Sequence, residues 1–468
     1  MKNFTTLTKF IEGIIYLVIF NFSYLFILYF NYGGKYSIEN EDAVINSVVA
    51  LSMACIVILV LNNVFSTARK SKEENIIIMF MCATFNMIAT MMIAFLLRGF
   101  AFPRSIIFMG YIIQIILFIA VKLMVIQVIS FLKRDKISLL ICESDDKQEI
   151  MQKILNQNNN HDFIKFFSSP DNCSVRKLIK SVDKIYISDK INRELVDQLV
   201  NYAITKNAQV CIIPKTYEIV IKNAKLQFAE DLPFFKINEM ELSSENRIIK
   251  RTFDICASFL GLVILSPVML VVCLIILIME GRPIIFKQKR VTHRNRIFTL
   301  YKFRTMVKDA EKNTGAIWAK KNDNRITPLG ITLRRFWLDE LPQLVNVLKG
   351  DMSMVGPRPE RPELINKFTK DIPDFAYRVS VKAGVTGYAQ VMGRYATTPD
   401  KKLKFDLIYI QNQSFWFDLT IILETVKKVI LGTLKRSEKS ELTYEEILIR
   451  DSLEEIKNKN YSTYKKVK

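Results

Sequence analysis

The residues with the strongest claim to chemistry are two adjacent acids, Asp339 and Glu340, within RITPLGITLRRFWLDELPQLVNVLKGDMSMVGPRPE, residues 325–360. An apolar run, 341–348, follows at once, and Lys349-Gly350 closes it. The pattern predicts a short helix with Asp339 as N-cap, Pro342 in the first turn and Gly350 as the stop. A helix start gathers free N–H groups and the positive end of the dipole, which lowers a carboxyl pKa and draws phosphate to the same spot. A carboxylate held beside a phosphate can attack phosphorus and form an aspartyl phosphate. Acids in a first turn are also ordinary caps, so the pair alone does not decide. Helical neighbours point about 100° apart, so both acids can serve one centre only from a frayed first turn.

Several cations flank this pair. Alternation over 298–304 predicts a strand, with Lys302 and Arg304 on one face by its period of two. Two cations side by side suit a diphosphate; the same pattern also fits a solvated edge strand carrying protective charges. Gly356-Pro357-Arg358-Pro359 sets Arg358 between two rings that restrict the backbone, so it is presented with little entropy left to lose.

The elements that must position these groups read as follows. Four long apolar runs, 10–30, 43–65, 76–97 and 105–132, each approach or exceed the ~20 residues that span a bilayer. Lys2 and Lys9, then Arg69, Lys70 and Lys72, then Lys133, Arg134 and Lys136 lie on one side of them, and Glu39, Glu41 and Asp42 on the other. The positive-inside rule puts the N-terminus and everything after residue 133 in the cytoplasm. Lys122 falls inside the fourth run and is expected to snorkel to its cytoplasmic end. From 136 to about 240, KISLLICES, KIYIS and AQVCIIP read as buried strands alternating with helical stretches, which gives a parallel sheet. Its first turn, 142–146, has two acids beyond Glu143 and no glycine, so the domain is not expected to bind a dinucleotide. Residues 255–279 are apolar but broken at Ser266-Pro267, with basic residues on both flanks. Charge on both sides opposes translocating either one. The preceding Ser can satisfy the carbonyl that the Pro frees. A re-entrant helix over 252–280 follows, with a fifth span as the alternative.

LDELPQLVNVLKGDMSMVGPRPE closely resembles the signature of the bacterial sugar transferase family, and the resemblance runs from about 250 to 430. It includes KQKR at 287–290, YKFRTM at 301–306 and KAGVTGYAQVMGR at 382–394. Independent motifs in one order make a specific match. The resemblance implies an enzyme that moves a sugar 1-phosphate from a UDP-sugar to polyprenyl (undecaprenyl) phosphate, with Asp339 as nucleophile. Glu340 would hold Mg²⁺ with Asp339 or assist proton transfer. Arg334 matches a family arginine that contacts phosphate, Arg358 a uridine or phosphate contact, and Asp406 a family acid near the active site. Ser266-Pro267 matches the break of a monotopic helix. Larger members resemble the whole layout, with four helices and a Rossmann-like domain ahead of the catalytic part. The chain departs from the family in the turn before the 298–304 strand, where Thr292, Arg294 and Asn295 stand in place of glycines. Gln390 and Arg394 are further polar candidates. Phe415, Trp416 and Phe417 fit an interfacial anchor or core packing equally.

The fold class that follows is membrane α plus α/β. A four-helix transmembrane domain occupies 1–135 and a Rossmann-like domain 136–240. A mixed, mostly helical monotopic catalytic domain occupies 245–434, and a charged tail, partly helical or disordered, 435–468. With 468 residues, half of them hydrophobic, and a net charge of +20, the chain has room for such parts. No nucleic-acid module accompanies the positive charge, so the bilayer, not nucleic acid, is the expected partner. Seven scattered Cys without CxxC and only two His exclude a disulfide framework, a zinc site and a His-rich metal site. The expected place is a bacterial cytoplasmic membrane. A second copy is left open as a partner, and so are the sugar and the glycan built. Two rival readings are a catalytically inactive scaffold for glycan assembly and a membrane-tethered nucleotide sensor.

Overall fold

The computed structural model describes residues 2–32, 38–65, 72–96, 104–132, 136–157, 162–169, 175–237, 242–308, 310, 323–393, 398–431, 443–450, 453–457 and 461–466. They form two compact units, 1–213 with 440–468, and 214–439.

The first unit opens with α1 (Lys2–Tyr32), α2 (Ile38–Leu61), α3 (Lys72–Leu96) and α4 (Arg104–Leu132). α1, α3 and α4 contain stretches long and apolar enough to cross a membrane, and α2 a shorter apolar stretch, Ser47–Leu61. α4 packs on α1 and α3, and α2 on both of those in turn. Tyr16, Phe20, Cys55, Met79 and Phe118 fill the interior, while Phe10, Phe22, Met53 and Phe95 point outward. Side chains that are apolar on both faces suit a bundle surrounded by lipid. Lys122 does not snorkel. It is 1% exposed, pairs with Glu12 at 2.8 Å and donates to the Val64 carbonyl, and Tyr16 also donates to Glu12. A partner on α1 holds the charge inside, where a free ammonium would have to reach for water.

The same unit carries an α/β layer: β1 (Lys136–Ile141), α5 (Lys147–Gln157), β2 (Asp162–Ser168), α6 (Val175–Ile179), β3 (Lys184–Ile187), α7 (Arg193–Thr205) and β4 (Gln209–Ile212). Strands β2-β1-β3-β4 are parallel, as the alternation predicts, although β2 (DFIKFFS) was not among the expected strands. The segment set apart as a charged tail belongs to this sheet. α16 (Tyr444–Arg450) packs on α5, and β11 (Leu453–Lys457) and β12 (Ser462–Lys466) form a hairpin whose second strand pairs antiparallel with β2. Ile447 and Tyr464 are fully buried against Leu140, Met151 and Phe167. Tyr444 and Lys147 both reach Glu455.

The second unit contains α8 (Thr216–Ile221), the hairpin β5 (Lys225–Ala229) and β6 (Leu232–Lys236), and α9 (Ser244–Met279). Ile219 and Val220 of α8 join the core of this unit, which begins at Pro214 rather than near 240. The hairpin β7 (Ile285–Val291) and β8 (Ile297–Phe303) follows. Arg294 and Asn295, in its turn, take φ of 56° and 58°, the left-handed conformation that glycines adopt without strain. Then come α10 (Pro328–Arg335), α11 (Gln343–Lys349), β9 (Ser353–Val355), α12 (Pro362–Asp371), β10 (Gly384–Thr386), α13 (Tyr388–Met392), α14 (Pro399–Gln411) and α15 (Phe415–Leu431).

α9 runs unbroken through Pro267. Pro267 cannot donate to the Val263 carbonyl, and the Ser266 hydroxyl donates there instead, at 2.8 Å. Both halves of this helix dock on the same unit. Near its start, Arg251 donates to the Val347 and Leu348 carbonyls that end α11, and Asp254 accepts from Ser353 and the Met354 amide. Near its end, Val272 and Ile276 pack against Phe303 and Leu333. Between them, Phe259, Leu260, Ile264 and Val271 are exposed. Phe415 and Trp416 are also outward, with Phe415 against Phe253, whereas Phe417 turns inward onto Tyr388 and Tyr409.

Candidate active site

The acids do not cap a helix. Thr327 caps α10, accepting from the Gly330 amide, and Pro328 starts it. Trp337 then takes a left-handed φ of 58°, which ends α10 and turns the chain. Leu338–Glu340 form a single 3-10 turn, and α11 begins only at Gln343, with Pro342 as its N-cap and Gly350 as its left-handed C-cap. Gly350 stops the helix as expected, but Asp339 and Glu340 precede it, free of the α-helical spacing.

Asn346 fixes this turn against the hairpin. It is fully buried, donates to the Thr299 carbonyl at 2.8 Å and accepts from the Tyr301 amide at 3.1 Å. It thus imitates a neighbouring strand for β8 and brings Lys302 to Glu340. Lys302 Nζ donates to Glu340 Oε1 at 2.7 Å, and Arg358 Nη2 donates to the same oxygen at 2.8 Å. Arg358 also lies 3.5 Å from Oε2. Both acids are 7% exposed, while the Arg358 side chain remains 43% exposed.

Two neighbouring carboxyls are thus driven apart in protonation. Burial alone would raise Glu340, but the charges of Arg358 and Lys302 overcome it and hold it well below the usual carboxylate range. Burial raises Asp339, and the Glu340 charge raises it further; Lys302, Arg334 and Arg358 offset only part of this. The result is one fixed anion and one carboxyl whose ionisation costs more, so its carboxylate is the more basic nucleophile. Burial lowers Lys302 against the pull of Glu340.

The other predicted residues divide. Arg334, at the end of α10, donates from Nε to Thr305 at 2.9 Å and bears on Asp339 electrostatically. Arg304 is not turned toward the acids. It is 7% exposed and its Nη2 donates to the Glu280 and Gly281 carbonyls at 2.6 and 2.8 Å, so it caps the C-terminal end of α9. The strand ends at Phe303, which releases the next side chain from the period-two face. Asp406 is 1% exposed and bound to Arg378 at 2.6 Å, and that arginine donates to the Arg358 carbonyl. Gln390 donates to the Val385 carbonyl within its own segment. Arg394 lies outside the described residues. Sequence reasoning missed Asn346 and Arg378. Arg290 stood in the KQKR motif without a role.

Among the described residues no cluster of three or more His, Cys, Asp or Glu side chains could hold a metal. Asp339 and Glu340 are the acids at which Mg²⁺ is expected, and Glu340 Oε1 here accepts from both Lys302 and Arg358.

Residues 245–432 match the family model for bacterial sugar transferases. A Bacillus subtilis protein named as an uncharacterized sugar transferase, EpsL, is 40% identical over 185 residues, 40% of this chain and 89% of that protein. The UDP-glucose:undecaprenyl-phosphate glucose-1-phosphate transferase of Escherichia coli K12 is 36% identical over 238 residues, 50% of this chain and 51% of that one. The UDP-N-acetylgalactosamine-undecaprenyl-phosphate N-acetylgalactosaminephosphotransferase of Aeromonas hydrophila is 41% identical over 187 residues, 39% of this chain and 44% of that one. The chain thus spans about half the length of the last two relatives.

Proposed function

Because this chain belongs to the bacterial sugar transferase family, we propose that it transfers a sugar 1-phosphate from a UDP-sugar to undecaprenyl phosphate and releases UMP. The observation that carries this reading is the pairing of a buried, basic Asp339 carboxylate with a Glu340 held ionised by Lys302 and Arg358. An Asp339 oxygen attacks the β-phosphorus. The bond from that phosphorus to the bridging oxygen breaks, UMP leaves with the electron pair, and the sugar phosphate stays as an acyl phosphate on Asp339. A phosphate oxygen of the carrier then attacks the same phosphorus and frees the carboxylate. Two half-reactions suit substrates that arrive separately, one from water and one from lipid.

Lys302, Arg334 and Arg358 face the charge that the diphosphate brings. Arg358 is the exposed member and can leave Glu340 for a phosphate. Glu340 with Asp339 would hold Mg²⁺, which would supply charge neutralisation for the diphosphate. The docking of both halves of α9 on one unit supports a re-entrant helix. A 36-residue helix is ~54 Å long, and a straight crossing would carry one end away from the unit that holds both. The exposed middle of α9, with Phe415 and Trp416, would then lie in the lipid and keep Asp339 near headgroup depth. Basic flanks and the positive-inside pattern support a cytoplasmic site.

The test is UMP release by the full chain in nanodiscs, with undecaprenyl phosphate and a panel of UDP-sugars. The panel includes glucose, galactose and N-acetylgalactosamine, the sugars in the relatives' names. Release with one or more sugars, lost in Asp339→Asn, is expected. No release with any sugar, or turnover that survives Asp339→Asn, contradicts the proposal.

A further inference from the structure

Arg358 sits on a loop whose carbonyls are caught one by one. The Gly384 amide donates to the Pro357 carbonyl at 2.9 Å, and the Val291 amide to the Glu360 carbonyl at 3.0 Å. The two between are held by side chains. Arg378 Nη2 donates to the Arg358 carbonyl at 3.2 Å, and Arg290 Nη1 to the Pro359 carbonyl at 3.0 Å. Prolines at 357 and 359 fix φ at those positions but leave the rotation of each peptide plane open. A carbonyl hydrogen bond closes that remaining freedom. Among the described residues no strand pairs with Arg358 and Pro359 to supply backbone N–H groups, and two guanidiniums do so instead.

Each guanidinium is itself locked. Arg378 is 6% exposed, bonds Asp406 through Nε at 2.6 Å and lies over the Phe375 ring. Arg290 donates through Nε and Nη2 to Gln288 Oε1, at 3.0 and 2.6 Å. Neither makes a described contact with Asp339 or Glu340. We infer that Arg290 and Arg378 are positioning residues: a pair of guanidinium clamps, one buried and one partly buried, that orient the loop peptides and so aim Arg358 at Glu340 and the substrate phosphate. Asp406 and Gln288 serve by orienting the clamps. Lysine cannot replace either arginine, because each uses two or more donors of one planar fork at once.

The activity arm rests on the function proposed above, so a second arm is independent of it. In the full chain in nanodiscs, Arg378→Lys and Arg290→Lys are each made alone and in an Arg358→Ala background. Each is expected to lower kcat/KM for UMP release by about tenfold alone, yet by less than about twofold when Arg358 is already gone. A merely structural role would cost the same in both backgrounds, and that result overturns the inference. Gln288→Ala, which leaves both arginines in place, is a milder variant expected to show the same dependence on Arg358 should a lysine variant misfold. In the second arm, amide exchange across 353–362 should quicken in each clamp variant while that of Gln343–Lys349 stays unchanged. Unchanged exchange in the loop overturns the inference whether or not turnover is seen. Inactive wild-type protein with quickened loop exchange sinks the transfer reading and leaves the clamp standing.

Discussion

Replacing Lys302 by Met removes one of two cations that keep Glu340 ionised. Nζ lies 2.7 Å from Oε1, and at an effective dielectric of about 20 unit charges at that distance attract by roughly 6 kcal/mol. Desolvation offsets much of this, and removing one partner of a buried pair costs ~3–5 kcal/mol. Arg358 stays in contact with Glu340, so the lower end, ~3 kcal/mol, is expected. At ~2–4 °C per kcal/mol for a unit of this size, the melting temperature should fall by roughly 6–12 °C. The pH dependence has a definite sign. Glu340 sits below its ordinary value in the folded chain, so it adds stability above the unfolded pKa and loses it as pH falls toward the folded one. Without Lys302 its folded pKa climbs toward the unfolded one, so this pH-dependent stability shrinks and its loss is complete at higher pH. Asp339 moves the same way, since Lys302 is one of the charges that lower it. In the proposed transfer Asp339 attacks as its carboxylate, so the acid limb of kcat/KM should shift to higher pH in Lys302→Met and less in Lys302→Arg. Thermal unfolding at two pH values and UMP release across about pH 5–8 read both effects. An acid limb and a melting temperature that match the wild type would refute the electrostatic account.

Other consequences are as direct. Arg294→Gly should stabilise the β7–β8 turn by up to about 1 kcal/mol, because φ is 56° there; a rise in melting temperature checks it. Gly384→Ala should prevent folding of the catalytic unit, since a Cβ would stand 2.0 Å from the Gly356 amide nitrogen; expression in the membrane fraction and a loss of cooperative unfolding read this. Lys122→Met should destabilise the helix bundle by ~3–5 kcal/mol, because it strands Glu12, which is 3% exposed. Adding Glu12→Gln should recover part of that loss in an unfolding titration.

Much of this was legible from pattern alone. Length and hydropathy marked α1, α3, α4 and α9, short apolar runs marked β1, β3 and β4, and alternation marked β8, because burial on both faces leaves a continuous run and burial on one a period of two. The acids and Arg358 stood out for their neighbours, and the structure brings them and Lys302 together. What stayed hidden depends on contacts distant in sequence. Glu12 and Lys122 are 110 positions apart, so nothing local showed that the lysine has a partner. The hairpin β11–β12 joins β2 from the far end of the chain, and its Lys and Glu content resembled a solvated tail. Arg304 follows the strand's period on paper but lies just past its end, where the C-terminal carbonyls of α9 claim it. The 3-10 turn at 338–340 depends on Trp337 taking a left-handed φ, which no propensity would assign to a tryptophan.

Incubating the full chain with a productive UDP-sugar, leaving out the lipid acceptor, quenching in acid and digesting for mass spectrometry tests the central claim most directly. A peptide containing Asp339 should gain the mass of one sugar phosphate, return to its free mass when undecaprenyl phosphate is added, and gain nothing in Asp339→Asn. An adduct on another residue, or full turnover with Asp339→Asn and no adduct at all, would contradict it.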